Sequence, residues 1–300
     1  MAWRRVPRAN HPLRKGSRPG SPFRIHCSFP VHWSFPVHWS FRNAPGTWFP
    51  GAFVLLVCLL PWPSAAALEC PLPGAGERVA VARVIDGDTL RLVDGRNVRL
   101  VGINTPELGH GRRPDEPLAR AARDRLAELI GLSDDGGTTE VMLHPGAEPR
   151  DRHGRTLAHV HRDGRSPERD LVREGLAHHV AMPPNLALAP CLRKDEGMAR
   201  SAGLGLWSSA LPGPVASAAL TQGGYQRVRG RIERVAFADA WWIRFEGGFT
   251  AVIYPEHQRW WDREMVAGWR GQTLEVRGWV YRARRGGWRM RLPTPDARLP

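Results

Sequence analysis

Val79-Ala-Val-Ala-Arg-Val-Ile85, Thr89-Leu-Arg-Leu-Val93 and Val98-Arg-Leu-Val101 follow one another, separated by Asp86-Gly87 and Asp94-Gly95. Short runs rich in branched residues read as strands, and Asp-Gly pairs between them suit tight turns, so the stretch predicts an antiparallel meander. Further along, Glu116 to Ile130 changes to helical spacing, with Leu118, Ala122, Leu126, Leu129 and Ile130 on one side and charges between them. Glu140 to Leu143 and Thr156 to His161 return to strand character, followed by short helices near Glu168 to Glu174 and Leu192 to Ala202. Many short strands with few helices predict a mainly β fold with helices (α+β), built on a small, partly open barrel.

A second set of strands lies downstream. Arg227 to Val235, Trp241 to Phe245, Thr250 to Ile253, Thr273 to Val280 and Trp288 to Leu292 suit another OB-type barrel. Between the two sets, Ser-Ala-Leu-Pro-Gly-Pro-Val-Ala-Ser-Ala-Ala-Leu-Thr-Gln-Gly-Gly has the composition of a linker. The expected organisation is a leader and signal peptide over 1–67, a first domain over 68–208, a linker over 209–224, an OB-like β-barrel over 225–293 and a tail over 294–300.

With 300 residues, 42% hydrophobic and 24% charged, the chain has room for about two globular domains and does not read as a collagen, a coiled coil or a multi-span membrane protein. The formal charge of +14 is concentrated at the two ends. Residues 1–67 hold eight Lys/Arg and no acid, residues 68–224 carry 20 basic against 21 acidic side chains, and residues 225–293 carry 14 Arg against 7 acids. The apolar run from Gly51 to Leu60 is signal-peptide length, too short for the ~20 residues of a membrane span, and Ser64-Ala-Ala-Ala67 supplies small residues for cleavage. An uncleaved anchor is the competing reading. Export predicts a secreted or periplasmic monomer without stable membrane association after cleavage. It also leaves the mature chain one pair of cysteines, Cys70 and Cys191, expected to be disulfide-bonded; two separate buried thiols are the alternative.

Chemistry-bearing residues cluster in three segments of the first domain. Ile85-Asp-Gly-Asp-Thr89 places two acids around a glycine at a turn; Val98-Arg-Leu-Val-Gly-Ile-Asn-Thr-Pro-Glu107 adds oxygen donors and an arginine; Asp151-Arg-His-Gly-Arg155 adds a second arginine. Oxygen-rich clusters suit a hard cation such as Ca²⁺. Two guanidiniums beside such a cation suit a phosphodiester, whose non-bridging oxygens gain charge in the transition state. Each segment alone is weak, since Asp-Gly-Asp is an ordinary turn and exposed arginines are usually solvated.

In order and spacing these segments resemble the staphylococcal (micrococcal) nuclease, or thermonuclease, family. The match runs from about Val79 to Ser208 and includes Leu171-Val-Arg-Glu-Gly-Leu176 and Gly205-Leu-Trp207 as well as the three segments. The resemblance implies an OB-type five-stranded barrel with helices and a Ca²⁺-dependent phosphodiesterase acting on DNA and RNA, leaving 3′-phosphate and 5′-hydroxyl ends. By position it implies Asp88 and the Thr105 carbonyl as calcium ligands, Glu107 as the general base, and Arg99 and Arg155 as phosphate contacts.

Two departures stand out. Asn104 occupies the place of a second calcium-ligating aspartate, keeping the oxygen and losing the charge, which predicts weak metal binding. Leu176-Ala-His-His-Val180 lacks the tyrosines that the family sets against the nucleotide base. These departures leave open a non-catalytic nuclease-like binding module. The C-terminal barrel also resembles OB-like extensions on some bacterial nucleases of this family. Its tryptophans Trp241, Trp242, Trp260, Trp261, Trp269, Trp279 and Trp288 alternate with arginines including Arg282, Arg284 and Arg285. That pattern fits single-stranded nucleic-acid binding, and equally a tryptophan-filled core with a bias for Arg over Lys. Trp207 reads as a core plug after the last helix.

Overall fold

The computed structural model describes residues 70, 72, 74–133, 135–284 and 286–300. The leader and signal peptide expected over 1–67, and Arg285, lie outside the described residues. The meander forms from β1 (Glu77–Asp86), β2 (Thr89–Leu92) and β3 (Asn97–Leu100), each antiparallel to the next. Asp86 faces Thr89 across the first turn, which seats Asp88 in it. A Cβ on Gly87 would lie 2.7 Å from the Ala122 Cβ and 2.8 Å from the Thr105 side chain, so only glycine lets this turn press so closely on its neighbours. Beyond β3, Gly102 turns the chain at φ 85° into β4 (Ile103–Asn104).

Helix α1 (Ala119–Leu129) buries Ala119, Ala122 and Leu126. It starts later than the spacing predicts because Leu118 sits at φ 70°, outside helical geometry, leaving Glu116 and Pro117 in the preceding loop. Strand β5 (Thr139–Arg150) pairs antiparallel with β1 and with β6 (Thr156–His161), and β6 runs parallel to β3. The ring β1-β2-β3-β6-β5 is therefore closed. Val81, Leu90, Leu92, Val98, Leu100, Leu143 and Val160 belong to its buried core; each such side chain contributes about 1.5–3 kcal/mol over its exposed state. Helix α2 (Pro167–Arg173), the short β7 (His178–His179) paired with β4, and α3 (Ala189–Ser201) complete this half. A disulfide joins Cys70 to Cys191 on α3, with the Cα atoms 6.1 Å apart.

The second half contains β8 (Val215–Ala216), β9 (Gly224–Phe237), β10 (Trp241–Phe245), β11 (Thr250–Ile253), α4 (Pro255–Gln258), α5 (Arg263–Ala267), β12 (Thr273–Arg282), β13 (Trp288–Arg291) and β14 (Arg298–Leu299). Its ring closes as β9-β10-β11-β13-β12, because β12 also pairs with β9. The β11–β13 pair is parallel, like β3–β6. The chain thus carries two five-stranded OB-type barrels of the same strand order. The linker and tail are built into the second one. Strand β8 from 209–224 and β14 from 294–300 extend the sheet, and Leu220 and Leu299 fill its apolar margin. Trp241, Trp261 and Trp269 are buried, while Trp260 and Trp279 are exposed. Among the described residues no helix is long and apolar enough to cross a membrane.

The two barrels belong to one compact unit. Their seam is polar and buried. Arg277 on β12 pairs with Glu196 on α3, both almost fully inaccessible, and the Arg277 Nε donates to the Asp296 carbonyl at 3.0 Å. Asp296 also accepts from Arg193 at 2.9 Å and lies 3.2 Å from His179 Nε2, while Thr294 Oγ1 donates to the Ala181 carbonyl at 3.2 Å. Trp207 lies at this seam, beside His178 at 5.1 Å and beneath the Arg227 guanidinium at 4.7 Å, rather than plugging the first core.

Candidate active site

The β1–β2 turn, the end of β3 and strand β4 converge at one rim of the first barrel. Asp88 is 3% exposed. Its Oδ2 accepts the Thr105 backbone N–H at 2.9 Å and meets Arg99 Nη2 at 3.0 Å, while Oδ1 accepts the Thr89 hydroxyl at 3.1 Å. Arg99 Nη2 also donates to Asn104 Oδ1 at 3.2 Å, and Nη1 donates to the Leu100 carbonyl at 2.7 Å. Asn104 in turn donates from Nδ2 to the Thr105 carbonyl at 3.3 Å. Asp88, Arg99, Asn104 and Thr105 therefore form a single hydrogen-bonded cluster. The amide at 104 suits it, because an N–H faces the Thr105 carbonyl where a carboxylate would set oxygen against oxygen.

Glu107 stands at the exposed edge of this cluster, and its backbone N–H donates to Glu116 Oε2 at 3.1 Å. Partial burial, then the Asp88 charge, push its carboxyl above the ordinary range, with Arg99 pulling the other way. Asp86, which precedes Asp88 in the same turn, joins the site. Its Oδ1 accepts the Asp88 N–H at 3.1 Å, and burial followed by the Asp88 charge pushes its carboxyl up to about 7. Glu116, where the spacing predicts helix, instead props the Glu107 backbone from a loop; its place there depends on the Leu118 backbone, for which the sequence carries no signal.

Arg155 makes no hydrogen bond to the cluster and is held by its own loop: Nε donates to Asp151 Oδ2 at 2.7 Å and the backbone N–H to Oδ1 at 2.9 Å. The parallel register pairs Arg99 with Leu157, so Arg155, two residues earlier, shares the outward face of the sheet with Arg99. The Asp151 contact occupies Nε and leaves the Nη groups without a hydrogen-bond partner among the described residues, on a side chain that is about one-third exposed (35%).

Among the described residues no three His, Cys, Asp or Glu side chains gather as a metal cluster. The donor set is the Asp88 carboxylate, the Asn104 and Thr105 oxygens and the adjoining Asp86 carboxyl. It is all oxygen with few full charges, which fits a hard cation held weakly. A cavity of about 330 Å³ adjoins this rim, lined by Asn104, Thr105 and Glu116 and, from the second half, by Tyr225, Gln226 and Arg227. The contribution of the second barrel here was invisible in the sequence.

A family model described as Staphylococcal nuclease homologue matches residues 97–209. The SPbeta prophage-derived endonuclease YokF of Bacillus subtilis (strain 168) is 34% identical over 134 residues, which are 43% of this chain and 44% of that protein. The Thermonuclease of Staphylococcus intermedius is 33% identical over 135 residues, 44% of this chain and 77% of that protein. Endonuclease YncB of B. subtilis is 34% identical over 134 residues, 43% of this chain and 61% of that protein. The match thus spans less than half of YokF and about three fifths of YncB.

Proposed function

Because the chain belongs to the staphylococcal nuclease family, we propose that it is an exported, monomeric, Ca²⁺-dependent endonuclease that hydrolyses DNA and RNA to 3′-phosphate and 5′-hydroxyl ends. The observation that carries this reading is the hydrogen-bonded cluster of Asp88, Arg99, Asn104 and Thr105 with Glu107 at its open edge. Asp88, Asn104 and the Thr105 carbonyl are the residues to hold the cation, which when bound supplies a Lewis acid for the phosphate oxygens.

Glu107, as a carboxylate at the solvent edge, accepts a proton from the attacking water. The water oxygen forms a bond to phosphorus, the bond to the 5′-oxygen breaks, and the leaving oxygen takes up a proton from solvent. No covalent enzyme intermediate is needed. Arg99 uses three N–H groups on Asp88, Asn104 and Leu100, leaving two of its five donors for the charge that builds on the phosphate. Arg155 offers its Nη edge to the same group.

A DNA digestion assay with calcium, with chelator and with Glu107→Gln tests the reading. The expected result is cleavage that requires calcium and falls by at least about two decades in the variant. Activity that survives Glu107→Gln would remove Glu107 as the base, and binding without any cleavage would favour the non-catalytic module.

A further inference from the structure

A cleft of about 610 Å³ opens between the two barrels. Its first-barrel wall includes Arg152 and Met182, and its second-barrel wall includes Trp279, Tyr281 and Arg291. Its volume is in the range of small-ligand sites and suits one or two nucleotides. Trp279 is 42% exposed and Tyr281 38% exposed, large apolar surfaces that a soluble barrel has no packing reason to leave open. The alternation along β12 explains their direction: Val280 points into the core against Met290, so Trp279 and Tyr281 point out.

Arginines are interleaved with this aromatic face. Tyr281 pairs across the sheet with Arg289, whose guanidinium lies 4.9 Å from the Trp242 ring; Arg291 lies 4.9 Å from the Tyr254 ring, and the Tyr254 and Tyr281 hydroxyls are 3.1 Å apart. Arg289 and Arg291 thus lie over the rings of Trp242 and Tyr254, while Trp279, packed T-shaped against Tyr225 at 5.1 Å, and Tyr281 keep part of their rings exposed for stacking. The remaining charges of the cleft are already engaged, since Arg277 is paired with Glu196 and Asp296 with Arg193 and His179. At the other end, exposed Arg152 belongs to the Asp151–Arg155 loop that presents Arg155.

We propose that this cleft and the outward face of β12 and β13 form a track for single-stranded nucleic acid, leading to the loop that carries Arg155. Unpaired bases stack on Trp279 and Tyr281, and phosphates lie along Arg291, Arg289 and Arg152. Single strands fit this surface because its open rings require unpaired bases, whereas a duplex offers only its backbone. The track's destination, though not its binding, rests on the nuclease reading.

Fluorescence anisotropy of a labelled single strand of about 20 nucleotides, with the full chain in chelator at low salt, reads binding without cleavage. Trp279→Ala and Tyr281→Ala are each expected to weaken it about tenfold, and Trp279→Phe to restore most of the loss. Arg291→Gln, on an exposed side chain, is expected to lower the salt dependence and serves where an aromatic variant does not fold. With calcium present, the ratio of kcat/KM for the long strand to that for a dinucleotide is expected to fall in Trp279→Ala. Absence of binding by the unaltered chain, affinities unmoved by the substitutions, failure of Trp279→Phe to restore binding, a salt dependence unmoved by Arg291→Gln, an unmoved kcat/KM ratio, or equally effective competition by duplex would each overturn the track. Binding that follows the substitutions without any cleavage would leave the track standing and defeat the nuclease reading alone.

Discussion

Replacing Asn104 by aspartate tests the cation site most directly. Asn104 is 6% exposed, with its Oδ1 held 3.2 Å from Arg99 Nη2 and its Nδ2 3.3 Å from the Thr105 carbonyl. An added unit charge at a ligand distance of about 2.5 Å from a dication contributes about 3 kcal/mol even at the dielectric of water. Burial raises this figure, and the pull of Arg99 on the new carboxylate lowers it. The expected outcome is calcium binding about two decades tighter in Asn104→Asp. Without calcium, the same substitution sets a carboxylate oxygen against the Thr105 carbonyl, so the gain in thermal stability on adding calcium should be larger than in the unaltered protein. Asn104→Ala removes the oxygen and should bind more weakly than either. Isothermal titration of chelator-stripped protein measures all three. Identical calcium affinities would show that residue 104 does not face the ion, and the assignment of Asp88 and Thr105 as its neighbours would fall with it.

Three further outcomes concern stability. Glu196→Ala leaves Arg277 charged and buried and should cost about 3–5 kcal/mol in urea unfolding; Glu196→Gln with Arg277→Met should recover most of this, because the Gln oxygen still accepts the His179 N–H that Glu196 holds at 2.7 Å. The Cys70–Cys191 bond spans 121 residues, so replacing both cysteines by serine should lower stability to guanidinium by about 2–5 kcal/mol, and a loss below about 1 kcal/mol would mean that the unfolded chain is already restrained there. Asp296 is pushed up by burial but more strongly down by His179 and Arg193, to about 2. Its folded value lies below the unfolded value of about 3.9, so its stabilisation is present above pH ~4 and lost as pH falls toward 2. Melting temperature against pH should therefore fall less steeply across that window in Asp296→Asn.

Much of the first barrel is legible because its information is local. The Asp86-Gly87 and Asp94-Gly95 turns fix the β1–β2–β3 meander, and the segment from Arg99 to Glu107 contains most of the site, so the cluster forms by folding one hairpin against the next strand. Arg155 is legible for the same reason, tethered to Asp151 four residues away. What was not legible depends on distant partners or on backbone without side-chain pattern. Leu118 at positive φ removes Glu116 from the helix and gives it to Glu107. Strands β8 and β14 are two residues long, too short for any periodicity to show. The seam pairs residues 81 and 117 positions apart, Arg277 with Glu196 and His179 with Asp296, and nothing near either partner marks it as matched.

That seam also ties the second barrel to the ribbon that presents Asn104. In β4–β7, Ile103 pairs with His179 and Asn104 with His178. The His179 N–H is held by Glu196, whose charge is balanced by Arg277 of the second barrel; the His179 ring lies between the Gly102 carbonyl, at 3.1 Å, and Asp296. His178 is covered by Trp207 and by Tyr225 of β9, and burial, followed by the charges of Arg277 and Arg227, holds its imidazole down at about 3, neutral throughout the working range. Both residues opposite the β4 strand therefore touch the second barrel as well as the first, His179 through Asp296 and His178 through Tyr225. A buried Glu196 without Arg277 would carry an uncompensated charge against the ribbon. The second barrel thus buttresses β7, the strand that pairs with β4, while the side chain of Asn104 itself is held by Arg99 and Thr105 of the first barrel.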